Sequence, residues 1–128
     1  MAKCEHDKVR QSCATCKPEL VYRAYQYKAV KQRKLAFTLT LDEFKKLVSA
    51  ECFYCGVTPA TGVDRRENGR GYIFSENPIL NNCQACCGTC NKIKGTFGHH
   101  FLMNHIDKMC RHAQKKQIVR PQLEKVAA

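Results

Sequence analysis

The spacing of apolar residues in the first third of the chain predicts a helix over residues 19–35. Leu20, Tyr27 and Val30 recur at helical spacing and can share one face of it. Cations gather at other positions of the same segment, namely Arg23, Lys31, Arg33 and Lys34. Tyrosines are interleaved with these cations, at Tyr22, Tyr25 and Tyr27. Two interpretations stay open: a solvated basic face with aromatic rings packed inward, or a helix that grips phosphates.

Caps and apolar stripes predict two further helices. Thr40 followed by Glu43 forms a capping box, in which each side chain satisfies a backbone N–H of the other residue. The apolar stripe of this helix follows at Phe44, Leu47 and Val48. After Cys90 the pattern turns helical again. Close to one stripe of that helix lie Phe101, Ile106, Met109 and Ala113. A basic tail is expected from Gln117 onward.

A short two-stranded ribbon is predicted between the second and third helical segments. Its strands are residues 62–65 and 72–74, and the intervening ENGRG is its turn, because Gly and Asn favour tight reversals. With the helices, the ribbon indicates a small α+β protein. We expect four segments: an N-terminal module (1–17), a basic helical segment (18–50), a core with its following helix (51–116) and a basic tail (117–128).

Charge narrows the class of partner. The chain carries 22 Lys+Arg against 11 Asp+Glu, a formal net charge of +11. Such an excess favours an anionic partner, and we expect nucleic acid, although a merely solvated basic surface is the plainer alternative. Because no apolar run reaches about 18 residues, no membrane span is expected. The start, MAKCEHDKVR, lacks the apolar core of a secretion signal, so we expect an intracellular protein.

Ten cysteines in such a chain indicate metal binding, since disulfides would require export. Three thiols and an imidazole suit one closed tetrahedral zinc site, at Cys4, His6, Cys13 and Cys16. A second zinc site is predicted from two Cys-x-x-Cys pairs, at Cys52, Cys55, Cys87 and Cys90. We therefore predict two structural Zn²⁺ ions. The remaining thiols, Cys83, Cys86 and Cys110, are treated as small apolar residues, with Cys86 a competitor of Cys87.

Four motifs follow one another from residue 52 to residue 95: CxxCG, GVDR, GY and NCQACCGTCNKIKG. This order resembles the HNH, or ββα-metal, endonuclease family, and within it the branch of the PacI restriction endonuclease. The resemblance implies a zinc-braced ββα-metal (HNH, His-Me finger) core with an N-terminal Cys-His-Cys-Cys zinc knuckle and flanking helices. It also implies an endonuclease that hydrolyses DNA phosphodiester bonds with a catalytic Mg²⁺ or Mn²⁺.

Carried over residue by residue, the resemblance implies a metal site with two oxygen ligands. Asp64 falls on the acidic ligand of the ribbon, and Asn91 falls on the ligand of the helix. Carboxylate and amide oxygens are hard ligands that suit Mg²⁺ or Mn²⁺. Asn82 falls on the asparagine that braces the loop between strand and helix in the family, and Asn77 is a rival for that position.

Arg65 stands where the family name expects the first histidine. A guanidinium keeps its proton, with a pKa above about 12, so Arg65 can clamp a phosphate oxygen but cannot act as the general base. PacI-like members carry arginine at this position and still cut. Candidates for the base are His99, His100 and Tyr72, with Glu67 behind them. For the two histidines, an exposed helix start is the plainer alternative.

Lys92 and Lys94 follow the helix ligand and are expected to meet the nucleic-acid backbone near the cut. Double-stranded DNA is the expected substrate, RNA is the alternative, and the branch suggests a homodimer. A zinc-bound nucleic-acid binder that has lost catalysis is a second hypothesis, favoured by Arg65. A module for protein contacts is a third, but it leaves the charge and the Asp64/Asn91 pair unused.

Overall fold

The first helix, α1 (Pro18–Tyr27), begins with proline, whose fixed φ suits the first helical turn. It continues into a π-helical turn, Lys28–Gln32, so the predicted helix ends slightly earlier than expected. The coordinates are a computed structural model that describes residues 3–6 and 12–116. The basic tail predicted from residue 117 lies outside the described residues. The chain divides into two compact units, Met1–Gly98 and His99–Ala128.

The face that α1 buries differs from the predicted one. Leu20, Tyr27 and Val30 are exposed. The residues that pack on the core are instead Val21, Tyr22, Tyr25 and Ala29. The prediction was wrong because Tyr22 and Tyr25 pack edge to face against Phe44, which sets the buried face of α1 away from Leu20 and Tyr27. The interpretation with inward-packing rings therefore holds for two of the three tyrosines.

Helix α2 (Leu41–Ser49) confirms the predicted capping box. The Thr40 hydroxyl oxygen accepts a hydrogen bond from the Glu43 N–H at 3.2 Å, and a Glu43 carboxylate oxygen accepts one from the Thr40 N–H at 2.8 Å. Phe44 and Val48 are buried, and Leu47 packs partly buried beside them. The local sequence signal therefore fixes both the start and the buried face of this helix.

The ribbon forms with a different second strand from the predicted one. Strand β1 (Val63–Arg65) pairs antiparallel with β2 (Cys83–Ala85), in a register that sets Asp64 opposite Gln84. Residues 72–74 do not pair with β1, because the backbone of Tyr72 is engaged elsewhere. Its N–H donates to Ala36 O at 2.9 Å, and its carbonyl accepts from Leu39 N at 3.1 Å. Helix α3 (Gly88–Lys94) follows β2, which completes a ββα arrangement.

Aromatic rings form the core beside this arrangement. The Tyr25 ring meets the Phe44 ring at 5.2 Å and the Tyr72 ring at 5.8 Å between centroids, both edge to face. Gly71 allows the close chain approach, since a Cβ there would lie 2.1 Å from the carbonyl oxygen of Ala36. The Gly-Tyr motif therefore has a packing reason: the glycine admits the neighbouring backbone and the tyrosine fills the core.

The second unit is described as far as residue 116 and contains α4 (His99–Lys115). Its buried residues are His99 and Leu102. The predicted stripe is not a buried face, because Phe101, Ile106 and Met109 are exposed. In the described part of the chain, no helix combines the length and hydropathy needed to cross a membrane.

Candidate active site

The first thiol group has the spacing of a metal site. His6 Nδ1 lies 3.6, 3.5 and 3.4 Å from the Sγ atoms of Cys4, Cys13 and Cys16. With Zn–S bonds of about 2.3 Å and a Zn–N bond of about 2.0 Å, two ligands of one tetrahedral zinc stand about 3.5 Å apart. These separations are therefore those of co-ligands rather than of hydrogen bonds, and the group can hold zinc.

The second thiol group joins the loop at residues 52–55 to the start of α3. The Sγ atoms of Cys55 and Cys87 are 3.7 Å apart, close to the roughly 3.8 Å between thiolates on one tetrahedral zinc. Desolvation raises the pKa of Cys52, but hydrogen bonds from the backbone N–H groups of Cys87, Cys55 and Tyr54 outweigh it and lower that pKa to about 6. The ligand atoms of Cys52, Cys55, Cys87 and Cys90 all lie within 4.8 Å of one another, so the group can hold an ion.

The three thiols outside the two groups differ in their exposure. Cys83 and Cys86 are buried, as small apolar residues would be, and burial raises the pKa of Cys83 to about 12. Cys87 rather than Cys86 belongs to the four-thiol group. Cys110 is exposed on α4, so the expectation that it packs as an apolar residue was wrong.

Asp64 and Asn91 line one cavity of about 450 Å³, although 27 positions separate them along the chain. Asp64 lies on β1 and Asn91 on α3, directly after Cys90. The thiol group fixes the start of α3, and strand pairing fixes β1. The cavity therefore lies where strand and helix meet, and Arg33, Arg65 and Tyr72 also contribute to its lining.

The Asp64 carboxylate is held from within the protein by two donors. Lys94 Nζ donates to Oδ1 at 3.2 Å, and Gln84 Nε2 donates to Oδ2 at 3.1 Å. Lys94 also donates to the Arg65 carbonyl oxygen at 2.8 Å. Burial raises the pKa of Asp64, and the charge of Lys94 opposes that rise. The carboxylate is therefore fixed in orientation before any ligand enters the cavity.

Arg65 presents its guanidinium beside Tyr72. Its Cζ lies 5.5 Å from the centroid of the Tyr72 ring, and Nη1 donates to the carbonyl oxygen of Asn68. Burial raises the pKa of Tyr72, while the positive charges of Arg65 and Arg33 lower it. The phenol therefore keeps its proton at neutral pH, and its ring supports the guanidinium by a cation–π contact.

Asn82 is fully buried and braces the loop after β1. Its Oδ1 accepts from Glu67 N at 2.9 Å, and its Nδ2 donates to Gly71 O at 2.8 Å and to Glu67 O at 3.2 Å. The rival, Asn77, is exposed, and its side chain accepts only from Ile79 N within its own turn, at 3.0 Å. Of the two asparagines, Asn82 is the one whose side chain bonds to the backbone of the loop after β1, and its family role stays a prediction.

One predicted nucleic-acid contact is wrong. Lys94 is 0% exposed and is committed to Asp64, so it cannot reach a backbone outside the protein. The other cations proposed for this role are exposed: Arg23, Lys31, Arg33, Lys34 and Lys92. Of these, Arg33 also lines the cavity. His99 is buried at the start of α4 in the second unit, and its role as a base stays a prediction.

Sequence reasoning missed the partners of Asp64. Gln84 Nε2 donates to the Tyr54 hydroxyl at 2.7 Å as well as to Asp64. Tyr54 lies between Cys52 and Cys55, so this chain of bonds links the second thiol group to the carboxylate. The sequence signal that could have identified Gln84 is the alternation of side chains along paired strands. If β2 had been predicted at residues 83–85, Gln84 would have been recognised as the cross-strand neighbour of Asp64.

An antiparallel pair, a following helix, a thiol group at the helix start and an Asp/Asn cavity define the ββα-metal, or HNH, fold of the four-cysteine type. Comparison with solved structures bears this out. The HNH restriction endonuclease PacI, a rare cutter, matches over 94% of this chain and 100% of its own, with a TM-score of 0.54 and 20% sequence identity. The predicted resemblance and fold class are thus confirmed, at the level of the fold.

A viral protein is related in sequence. An uncharacterized protein of Acanthamoeba polyphaga mimivirus is 43% identical over 75 residues, which cover 56% of this chain and 13% of that protein. The chain thus spans only a small part of this relative's length. No protein-family model matches the chain.

Proposed function

We propose that this chain is a metal-dependent HNH-type endonuclease that hydrolyses phosphodiester bonds of double-stranded DNA. The observation that carries the proposal is the meeting of Asp64 and Asn91 in one cavity of a ββα arrangement. The fold likeness to PacI supports the class, and the net charge of +11 supports a polyanionic substrate. Two zinc ions, one in each thiol group, would act as structural braces.

The donors in the cavity fit a hard divalent cation. Asp64 supplies a carboxylate oxygen and Asn91 an amide oxygen, a set that suits Mg²⁺ or Mn²⁺ and leaves coordination positions for water and phosphate. When bound there, such an ion would polarise the scissile phosphate and neutralise charge on the leaving oxygen. Gln84 and Lys94 hold the carboxylate in place, so no rearrangement of Asp64 is needed when ligands arrive.

The arginines of the cavity give the phosphate its position. Arg65 is steadied by the Tyr72 ring and by the carbonyl of Asn68. Its planar fork can donate two hydrogen bonds to phosphate oxygens and stabilise negative charge in the transition state. Arg33 approaches the same cavity from the end of the π-helical turn. A guanidinium offers donors only, so both residues can act as clamps and not as bases.

The proton acceptor lies outside the lining of this cavity. Tyr72 is a poor candidate because its raised pKa keeps it protonated. Among the described residues that line the cavity, Asp64 is the one carboxylate, and histidine is not represented. The predicted bases His99 and His100 belong to the second unit, so their role stays a prediction. A general base typically contributes about 10²–10⁴ in rate.

The exposed cations extend the phosphate-binding surface. Arg23, Lys31 and Lys34 belong to the first helical segment, and Lys92 lies on α3 beside Asn91. Contacts of this kind give affinity and position without reading sequence. Binding should therefore weaken steeply as the salt concentration rises.

The test is supercoiled plasmid incubated with zinc-loaded protein and Mg²⁺ or Mn²⁺. We expect nicked or linear product from the wild type and a loss of at least about a hundredfold in Asp64→Asn. Asparagine is preferred to alanine because it keeps an oxygen acceptor for the buried Lys94 ammonium. Asp107→Ala is the matched control: it removes an exposed carboxylate whose partner, Arg111, lies on the same helix. Cleavage that survives in a folded Asp64→Asn would exclude this residue from the mechanism.

A second candidate function is a zinc-bound DNA-binding protein without catalysis. The absence of histidine from the described lining of the cavity favours it, because water activation there lacks a base. Under this alternative, gel retardation of DNA falls with salt as before, but no divalent cation yields product. Cleavage by the wild type that Asp64→Asn abolishes would reject it.

A further inference from the structure

Lys94 is the least exposed charged residue of the site and faces away from the cavity. Its side chain is 0% exposed, that of Asp64 is 5% exposed, and their charged atoms are 3.2 Å apart. Asp64 contributes to the lining of the cavity, whereas Lys94 does not. The ammonium therefore stands on the protein side of the carboxylate, and a ligand that enters the cavity meets Asp64 from the other side.

The charge around the cavity is positive before any ligand binds. Two arginines and one carboxylate line it, Arg33, Arg65 and Asp64, and Lys94 adds a further cation behind the carboxylate. Such a set has a net positive charge and repels a lone divalent cation. A phosphodiester brings the negative charge that this arrangement lacks.

We propose that Lys94 makes the free protein a weak binder of divalent cations, so that the cavity takes up its ion together with the phosphodiester. This inference rests on the proposed function, since it concerns the same Asp64 site. The alternative is that Lys94 is only a structural counter-ion, with no effect on cation affinity.

Three features support a tuning role. Lys94 neutralises the one carboxylate that lines the cavity in the described structure, which removes most of the attraction for a cation. Gln84 occupies the other carboxylate oxygen, so Asp64 is satisfied without an ion. Asn91, the second ligand, is uncharged and cannot compensate. A site with this composition gains its cation affinity from the substrate.

Binding of Mn²⁺ can be measured directly from the electron paramagnetic resonance signal of the free ion, independently of cleavage. Zinc-loaded wild type, Lys94→Gln and Asp64→Asn are titrated at fixed ionic strength, with and without a short DNA duplex. Lys94→Gln keeps an amide donor for Asp64 and removes only the charge. Alone, Lys94→Gln should bind Mn²⁺ at least about tenfold more tightly than the wild type. With the duplex, the wild type should gain a site that is missing in Asp64→Asn.

A second pair of variants covers the case in which Lys94→Gln does not fold. Arg33 is exposed, so Arg33→Gln should fold, and it removes another cation of the cavity. It should also tighten Mn²⁺ binding by the free protein. Lys46→Gln removes an exposed cation on α2 that does not line this cavity and should leave Mn²⁺ binding unchanged.

The outcomes distinguish a failure of the tuning role of Lys94 from a failure of the proposed metal site at Asp64. Free wild type that binds Mn²⁺ through Asp64 as tightly as Lys94→Gln and Arg33→Gln overturns the tuning role and leaves the nuclease proposal intact. If no Asp64-dependent site forms even with the duplex, the metal site itself is wrong, and both proposals fall. Tighter Mn²⁺ binding in Lys94→Gln and Arg33→Gln, but not in Lys46→Gln, supports the inference.

Discussion

Truncation of Asn82 should destabilise the protein more than truncation of Asn77 in the neighbouring loop. Its amide makes three hydrogen bonds to the backbone of Glu67 and Gly71, and the side chain is fully buried. In Asn82→Ala, the Glu67 N–H loses its partner. The carbonyls of Gly71 and Glu67 each lose one of two donors, because Ile73 N and Arg70 N still donate to them. An unpaired group costs about 1–3 kcal/mol, so we expect a loss of about 1–3 kcal/mol of unfolding free energy.

Asn77→Ala is the matched control. Asn77 is exposed, and its side chain accepts one hydrogen bond, from Ile79 N within its own turn. Water can replace that bond, so the loss should stay below about 1 kcal/mol. The comparison also decides between the two asparagines proposed for the bracing position.

Urea unfolding in saturating zinc measures both losses. The chain contains 5 tyrosines and no tryptophan, so tyrosine fluorescence and circular dichroism are the probes. Zinc must stay bound throughout, because its release would break the two-state analysis. Equal m-values would show that both variants unfold from comparable folded states. Similar free-energy losses for Asn82→Ala and Asn77→Ala would refute the reasoning.

Two further outcomes concern zinc and DNA. Cys52→Ser should release one equivalent of zinc and unfold the first unit. Cys110→Ser changes an exposed thiol outside both groups and should keep both ions. Mass spectrometry measures the zinc content, and circular dichroism measures the folding. Full zinc content in a folded Cys52→Ser would contradict the assignment. Arg33→Ala should weaken DNA binding equally for unrelated sequences and reduce the slope of log K against log salt by about 1. A sequence-dependent loss would point instead to base contact.

Local signals were sufficient wherever the determinants lie close together in sequence. The capping box at Thr40 and Glu43 needs only residues one turn apart, and it formed as predicted. The thiol groups came together as their spacing indicates, because each Cys-x-x-Cys pair folds as a single turn. Asp64 and Asn91 were proposed as ligands from the family motifs around these pairs, and both line the same cavity.

The predictions failed where a residue pairs with a partner that is distant in the sequence. The sequence offered residues 72–74 as the partner of β1, because they follow the likeliest turn, but Tyr72 binds the backbone at Ala36 and Leu39. Lys94 was expected at the surface, as lysines normally are. Its burial depends on a carboxylate 30 positions earlier, a distance over which single-sequence patterns carry no information.

The Sγ atom of Cys87 takes part in two interactions. Its Sγ belongs to the four-thiol group and also accepts the N–H of Cys90, which caps the first turn of α3. A helix of seven residues is too short to persist by itself, so the ion that would hold this sulfur also decides whether Asn91 faces the cavity. Loss of zinc would therefore disorganise the start of α3 and, with it, the position of Asn91 in the cavity lining.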